Sequence, residues 1–332
     1  TLDGVIGGDA ILTGLSVNAT DGDESNTGTI EITDIGDSAA VGVNTGTISI
    51  GNANTTTLTL DGTTYKTDGV TIYEAAAGDT ILLTGASPTI TTMNDNLTFD
   101  GGSIVLSTAG TTTIDTELGG SGGGNVLIDG TINGTDGESE ALVINGGSGS
   151  VTVNGAIGAS NPLTTITIGS AGAGTVEVTN IGGGSAGATG AVNIGNSSTG
   201  TLTLDGTIYL TGTGATDYEA AAGNNILLTG ASPTVTTGGG DLSFSTGNIV
   251  LSTAGTTTFT TGTGTGGNIT VAGTIDGTNE ESEALVIQSG SGNVQLQGAI
   301  GATQPLTTIT INSSGAGTVE VTNIGGGSAG AT

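Results

Sequence analysis

The run GAGTVEVTNIGGGSAGAT stands at residues 172–189 and again at 315–332. Inside it VEVTNI alternates apolar and polar residues between glycines, the two-residue period of a strand bounded by turns. Other segments recur at nearly the same offset: LTLDGT at 58–63 and 202–207 (144), EAAAG at 74–78 and 219–223 (145), ESEALVI from Glu138 and from Glu281 (143). A unit of about 144 residues is therefore duplicated. Ahead of it Glu31-Ile32-Thr33 matches Glu177-Val178-Thr179. Residues 1–57 read as the end of a preceding unit, 58–201 as a full unit and 202–332 as a second, incomplete one, all in one continuous domain.

A shorter period lies inside the long one. Strands open at Leu58, Ile81, Ile104, Val126, Val151, Val176, Leu202, Ile226, Ile249, Ile269, Val294 and Val319. The steps are 23, 23, 22, 25, 25, 26, 24, 23, 20, 25 and 25, about 24 on average. A strand in every 20–30 residues means a solenoid whose coils bury their apolar faces only by stacking. Each opening follows Thr, Ser or Asn, and the opening and third positions are apolar in every coil. A second strand (Leu142 to Ile144, Leu285 to Ile287) and a short third side (Ile132, Ile157, Ile181, Ile275, Ile300, Ile324) complete the coil. The expected fold is all-β: a parallel β-helix or β-solenoid of about 24 residues per coil and roughly 14 coils, with a six-coil, 144-residue super-repeat. Parallel connections favour the right-handed form. The chain starts and stops in mid-pattern, at TLDGVIGG and GGGSAGAT, which reads as a window from a longer protein or as a subunit stacking head to tail.

Composition excludes several functions. One Lys or Arg against thirty Asp or Glu gives a net charge of −29, so nothing neutralises nucleic-acid phosphates. Without His or Cys there is no imidazole base, no thiol nucleophile and no zinc site of the usual kind. No apolar run reaches the ~20 residues of a membrane helix, so no membrane insertion is expected. Aromatic residues are only 2%, as if the core were too narrow for them.

Coils of the form N-V-x-V-x-G-x-I-x-G, rich in Thr and Gly, without Cys and almost without Lys or Arg, resemble the β-strand-repeat regions of giant secreted bacterial proteins. Filamentous-haemagglutinin-like adhesins and large autotransporter passengers are of this kind. The resemblance implies an extracellular or cell-surface location and a role in stalks, sheaths, fibres or adhesive surfaces.

Candidate sites are of four kinds. Asp21, Asp23 and Glu24, then Asp136, Glu138 and Glu140, then Glu280, Glu281 and Glu283 crowd three loops. Oxygen ligands from such loops suit calcium, and solvated acidic turns that keep the protein soluble are the competing reading. The outward second position is apolar at Leu82, Val105 and Leu127 and again at Leu227 and Val250, which marks a contact with another copy or cover by a loop carrying Tyr73 or Tyr218. Sequons stand at Asn18, Asn54, Asn96, Asn133, Asn196, Asn268 and Asn312. Threonine runs at residues 111–113 and 256–258 raise ice binding, but such runs do not recur in every coil.

An enzyme is not expected. The only cation, Lys66, is replaced by Leu210 in the next unit, and Asp61 and Asp129 stand too far apart, at ~14 Å, for a glycosidase pair. The expected function is an extracellular structural segment that self-associates, laterally or end to end, without a cofactor other than calcium. The other reading is an adhesin module that binds carbohydrate or a host surface.

Overall fold

The computed structural model describes residues 1–18, 28–37, 43–44, 46–117, 122–135, 139–262, 264–278 and 282–326. The chain forms two compact units, Thr1–Ile157 with Ile168–Gly174, and Gly158–Thr167 with Thr175–Thr332. The fold is an all-β parallel β-solenoid with no helix among the described residues, about 12 turns of about 25 residues. The turns are fewer than the sequence period implies because some corners are long. Ile30 pairs with Leu58 and Ile104 with Ile132, both 28 residues on.

In the first unit three ladders run from turn to turn. The first side stacks Ile30, Leu58, Ile81, Ile104, Ile132 and Ile157. The second stacks Leu15, Ile48, Thr71, Leu97, Val126 and Val151. The third stacks Ile35, Tyr65, Ile90, Ile114 and Ile144. The second unit repeats the scheme. Its first side runs Val176, Leu202, Ile226, Ile249, Ile275, Ile300, Ile324. Its second runs Val192, Thr216, Leu242, Ile269, Val294, Val319. Its third runs Ile181, Tyr209, Val235, Phe259, Ile287, Ile311.

The twelve strand openings are thus not one ladder. Ile104 stacks on Ile132, while Val126 belongs to the second side, over Leu97. Ile249 stacks on Ile275, while Ile269 belongs over Leu242. These crossings fall at the two shortest steps, 22 and 20 residues, where the chain has not yet completed a turn. The long repeat is accordingly one side short of six turns. In the second unit Val176 opens on the first side, and its equivalent Val319 lies on the second.

The inward residues are almost all fully buried Ile, Leu and Val, and fully burying one such side chain stabilises a fold by about 1.5–3 kcal/mol. The core is not too narrow for aromatics: the four Tyr and three Phe of the chain are all fully buried. Turn-on-turn stacking suits flat rings. Tyr73 lies over Phe99 with ring centres 5.3 Å apart, and Tyr65 meets Tyr73 edge-on at 6.4 Å. Tyr209, Tyr218, Phe244 and Phe259 form the corresponding chain, at 6.2, 5.5 and 4.7 Å.

The tyrosine hydroxyls have opposite fates. Tyr65 Oη accepts from the Gly62 amide at 2.7 Å and donates to the Ile32 carbonyl at 3.1 Å. Tyr209 does the same with Gly206 at 2.6 Å and Val178 at 3.0 Å. Gly62 and Gly206 must be glycine there, since a Cβ on either would lie 1.3 Å from a carbonyl oxygen of the preceding turn. The buried hydroxyls of Tyr73 and Tyr218 have no hydrogen-bond partner among the described residues.

Two conservative substitutions separate these roles. Tyr65→Phe orphans a buried amide and a carbonyl and should cost about 1–3 kcal/mol. Tyr73→Phe removes an unpaired polar group and should leave the melting temperature unchanged or raise it. Thermal unfolding followed by circular dichroism reads both, and equal losses would contradict the assignment.

Candidate functional site

The second side is bound from turn to turn by side chains as well as backbone. Asn96 Oδ1 accepts from the Asn125 amide at 2.8 Å, and Asn125 Oδ1 from the Ser150 amide at 2.9 Å. In the second unit Asp241, Asn268 and Asn293 accept in the same way from the amides of Asn268, Asn293 and Thr318, at 2.7, 2.9 and 2.8 Å. The polar residue before each opening is therefore a bracket between coils on this side. Two sequon asparagines, Asn96 and Asn268, use Oδ1 in this way while their side chains remain exposed. Asn18 and Asn312 are exposed, and Asn54, Asn133 and Asn196 are half-buried.

Of the nine acidic loop residues, Asp21, Asp23, Glu24, Asp136, Glu138, Glu280 and Glu281 lie outside the described residues. Glu140 and Glu283 do not point out into solvent: they are buried, on the inward phase of the strands Glu140–Asn145 and Glu283–Ser289. Glu140 Oε1 accepts from Thr135 Oγ1 at 2.6 Å and Oε2 from the Ser139 amide at 3.1 Å. Glu283 binds the Thr278 hydroxyl and the Ser282 amide in the same manner. Each carboxylate thus ties together the two stems of its loop. No group of three or more acidic side chains among the described residues is placed to hold a metal ion.

Burial pushes the Glu140 carboxyl up, but the bonds from Thr135, Ser139 and the neighbouring amides prevail and hold it below the usual Glu value. Glu74 is raised, first by burial and then by the charge of Asp100, which sits over it on the next turn. The equivalent Glu219 instead meets Thr246, whose hydroxyl donates to it at 3.1 Å.

The outward apolar column is broken. Leu82 and Val105 are neighbours on the first side, between Thr59 and Asn133, and all four take part in one ladder. Leu127 does not join them. It lies on the second side between Thr98 and Thr152, because Val126 follows Leu97 and not Ile104. Leu227 and Val250 repeat the pair between Thr203 and Asp276. All five residues are half-buried. Tyr73 and Tyr218 point into the core, so neither ring covers them. Asp61 and Asp129 also lie on different ladders, hydrogen-bonded to Thr84 and Asn154 respectively.

Two surface features take their form only from the ladders. On the second side of the second unit Thr270, Gln295, Thr318 and Glu320 line a shallow polar groove with Asn268 and Asn293. On its third side the middle residue of each threonine run turns inward: Thr257 is buried, and so is Thr112 in the first unit. The flanking Thr256 and Thr258 face out, and Thr234 stacks on Thr258. Threonines that look scattered in the chain gather on one face once the ladders are known.

The pH dependence follows from the two glutamates. With its folded value depressed, Glu140 contributes stability that is fully present above the unfolded carboxylate range and is lost as pH falls through the folded value. With its folded value raised, Glu74 weakens the fold at neutral pH and adds stability as pH falls through that value. Glu140→Gln should lose about 1–3 kcal/mol at neutral pH, with the loss shrinking in acid. Glu74→Gln should raise the melting temperature at neutral pH, with the gain vanishing in acid. Melting curves of both variants and the parent across the acid range decide this.

No protein-family model, no curated protein and no solved structure matches this chain.

Proposed function

We propose that the chain is a non-enzymatic structural segment of an extracellular fibre, sheath or stalk, of the kind found in large secreted bacterial adhesins and autotransporter passengers, and that it self-associates. The observation that carries this reading is the bonding between successive turns. Within each unit, successive turns are joined by parallel backbone ladders and stacked inward side chains, and on part of the second side by asparagine and aspartate brackets. Such a fold resists local opening, as a spacer or wall element must. Its net charge of −29, carried mostly on the surface, keeps it soluble and gathers cations diffusely, which is the role proposed for calcium. The single basic residue, Lys66, is half-buried within the strand Thr64–Asp68, a poor substrate for trypsin-like proteases.

A second reading, an adhesin module for carbohydrate, is favoured by the polar groove around Asn268, Asn293 and Gln295, whose amides suit sugar hydroxyls. Gln295 Nε2 already donates to Glu320 there at 3.2 Å.

Electron micrographs of the native material, paired with proteinase K digestion, separate the two. A structural segment should appear as ordered filaments, with the described strands surviving digestion below the melting temperature. A dispersed monomer that binds one glycan saturably, and loses it on Gln295→Ala, would replace the structural reading with the adhesin one.

A further inference from the structure

We propose that the outer face of the third side in the second unit docks against the same face of a second copy of this chain. The inference rests on the self-associating structural role and names the surface it would use. The strands Ile208–Thr211, Thr234–Thr237, Gly255–Thr260, Glu283–Ser289 and Thr308–Ser313 build this side. Their register puts Ile208, Thr234, Thr258, Val286 and Thr310 in one outward column. The adjoining column runs from Leu210 through Thr236, Thr260 and Gln288 to Asn312. Every one of these side chains is uncharged and at least partly exposed, and the one acid in the five strands, Glu283, is buried.

Charge selects the occupant. In a chain of net charge −29, two copies repel wherever acids face each other. The first side of this unit turns Glu177 and Asp276 outward, and the second turns Asp217 and Glu320 outward. Among the described residues of the unit, the third side alone offers a ladder face where like charges do not meet. A cationic partner would be drawn to the other two sides, and a membrane surface would need a more apolar face than rows of threonine. Threonine, valine and isoleucine on a pleated surface pack against their own kind, and threonine hydroxyls can pair across the contact.

Size sets the strength. Five strands ~4.8 Å apart and about five residues long at ~3.3 Å each span roughly 24 by 17 Å, on the order of 400 Å² per copy. The total of about 800 Å² lies below the size of stable interfaces, in the range of transient contacts, so the pairing is weak and reversible. Because the acidic sides still repel at longer range, it tightens with salt.

The test is sedimentation equilibrium of the whole chain at low and high sodium chloride. The parent should form dimers that dissociate on dilution and tighten several-fold at high salt. Thr258→Asp with Val286→Asp should stay monomeric under the same conditions, and so should Thr258→Lys with Val286→Lys. A mixture of these two double variants should pair at least tenfold more tightly than either alone. That restoration also excludes misfolding as the cause of the loss. If both double variants associate as the parent does, the face is wrong while the structural role stands. Transfer of the effect to Leu227→Asp with Val250→Asp would place the contact on the first side instead. A parent that is monomeric at every concentration and salt overturns the docking surface. If that monomer shapes ice crystals, the threonine rows belong to ice. The structural role falls separately, on the absence of filaments in the native material.

Discussion

Parallel pairing between successive turns governs everything else in this molecule. Each residue lies about 4.8 Å from its counterpart on the next turn, so a side chain must be compatible with what the neighbouring coil puts directly above it. Isoleucine on isoleucine satisfies this on the first side, and Tyr73 over Phe99 satisfies it with rings. Asparagine does so by bonding the amide above it. Stacked carboxylates meet it least well: Glu74, raised first by burial, is raised further by Asp100 above it. Elsewhere the fold sets an acid against a neutral donor: Asp61 against Thr84, Asp205 against Thr229, Asp217 against Ser245. The abundance of threonine, serine and asparagine in so acidic a chain is in part the consequence of that requirement.

The same constraint explains what could be read from the sequence. Alternation of apolar residues marks strands wherever one face is buried, and it located nearly every inward position. It does not say which side of the coil a strand occupies. Ile104 follows Ser103 and Val126 follows Asn125, the same local signature on two different sides, so the path from one to the other looked like a full turn. Only the short step of 22 residues distinguished it. The outward column inherited that slip, which is why Leu127 separates from Leu82 and Val105. Glu140 is legible as an inward residue. It stands two residues before Leu142 and four before Ile144, both buried, so strict alternation puts it inside. Only its acidity speaks for a loop residue.

The run VEVTNI occurs twice in the second unit and occupies different sides. At Val176 it spans the first and third sides, pairing with Leu202 and Tyr209. At Val319 it spans the second and first, pairing back to Val294 and Ile300. One sequence therefore serves two places in the coil. The inward code for strand, corner and strand is local, and the three sides are close to interchangeable as far as the core is concerned. What distinguishes them is carried by the outward residues, which the core leaves free.

That freedom gives the third side its meaning. Tyr65 and Tyr209, Ile90 and Val235, Ile114 and Phe259, Ile144 and Ile287 occupy matching inward places in the two units, all apolar or aromatic and all buried. Outward, the first unit carries Lys66, Asp68 and Asp115 where the second carries Leu210, Gly212 and Thr260. A ladder of the same inward pattern is thus built with charges in one unit and without them in the other. The neutral version is not dictated by the core, since the charged one lies over the same inward pattern of buried apolar residues. Removing charge from one face of an otherwise acidic surface lowers solubility and invites contact. The neutrality of this face therefore does not follow from what lies beneath it.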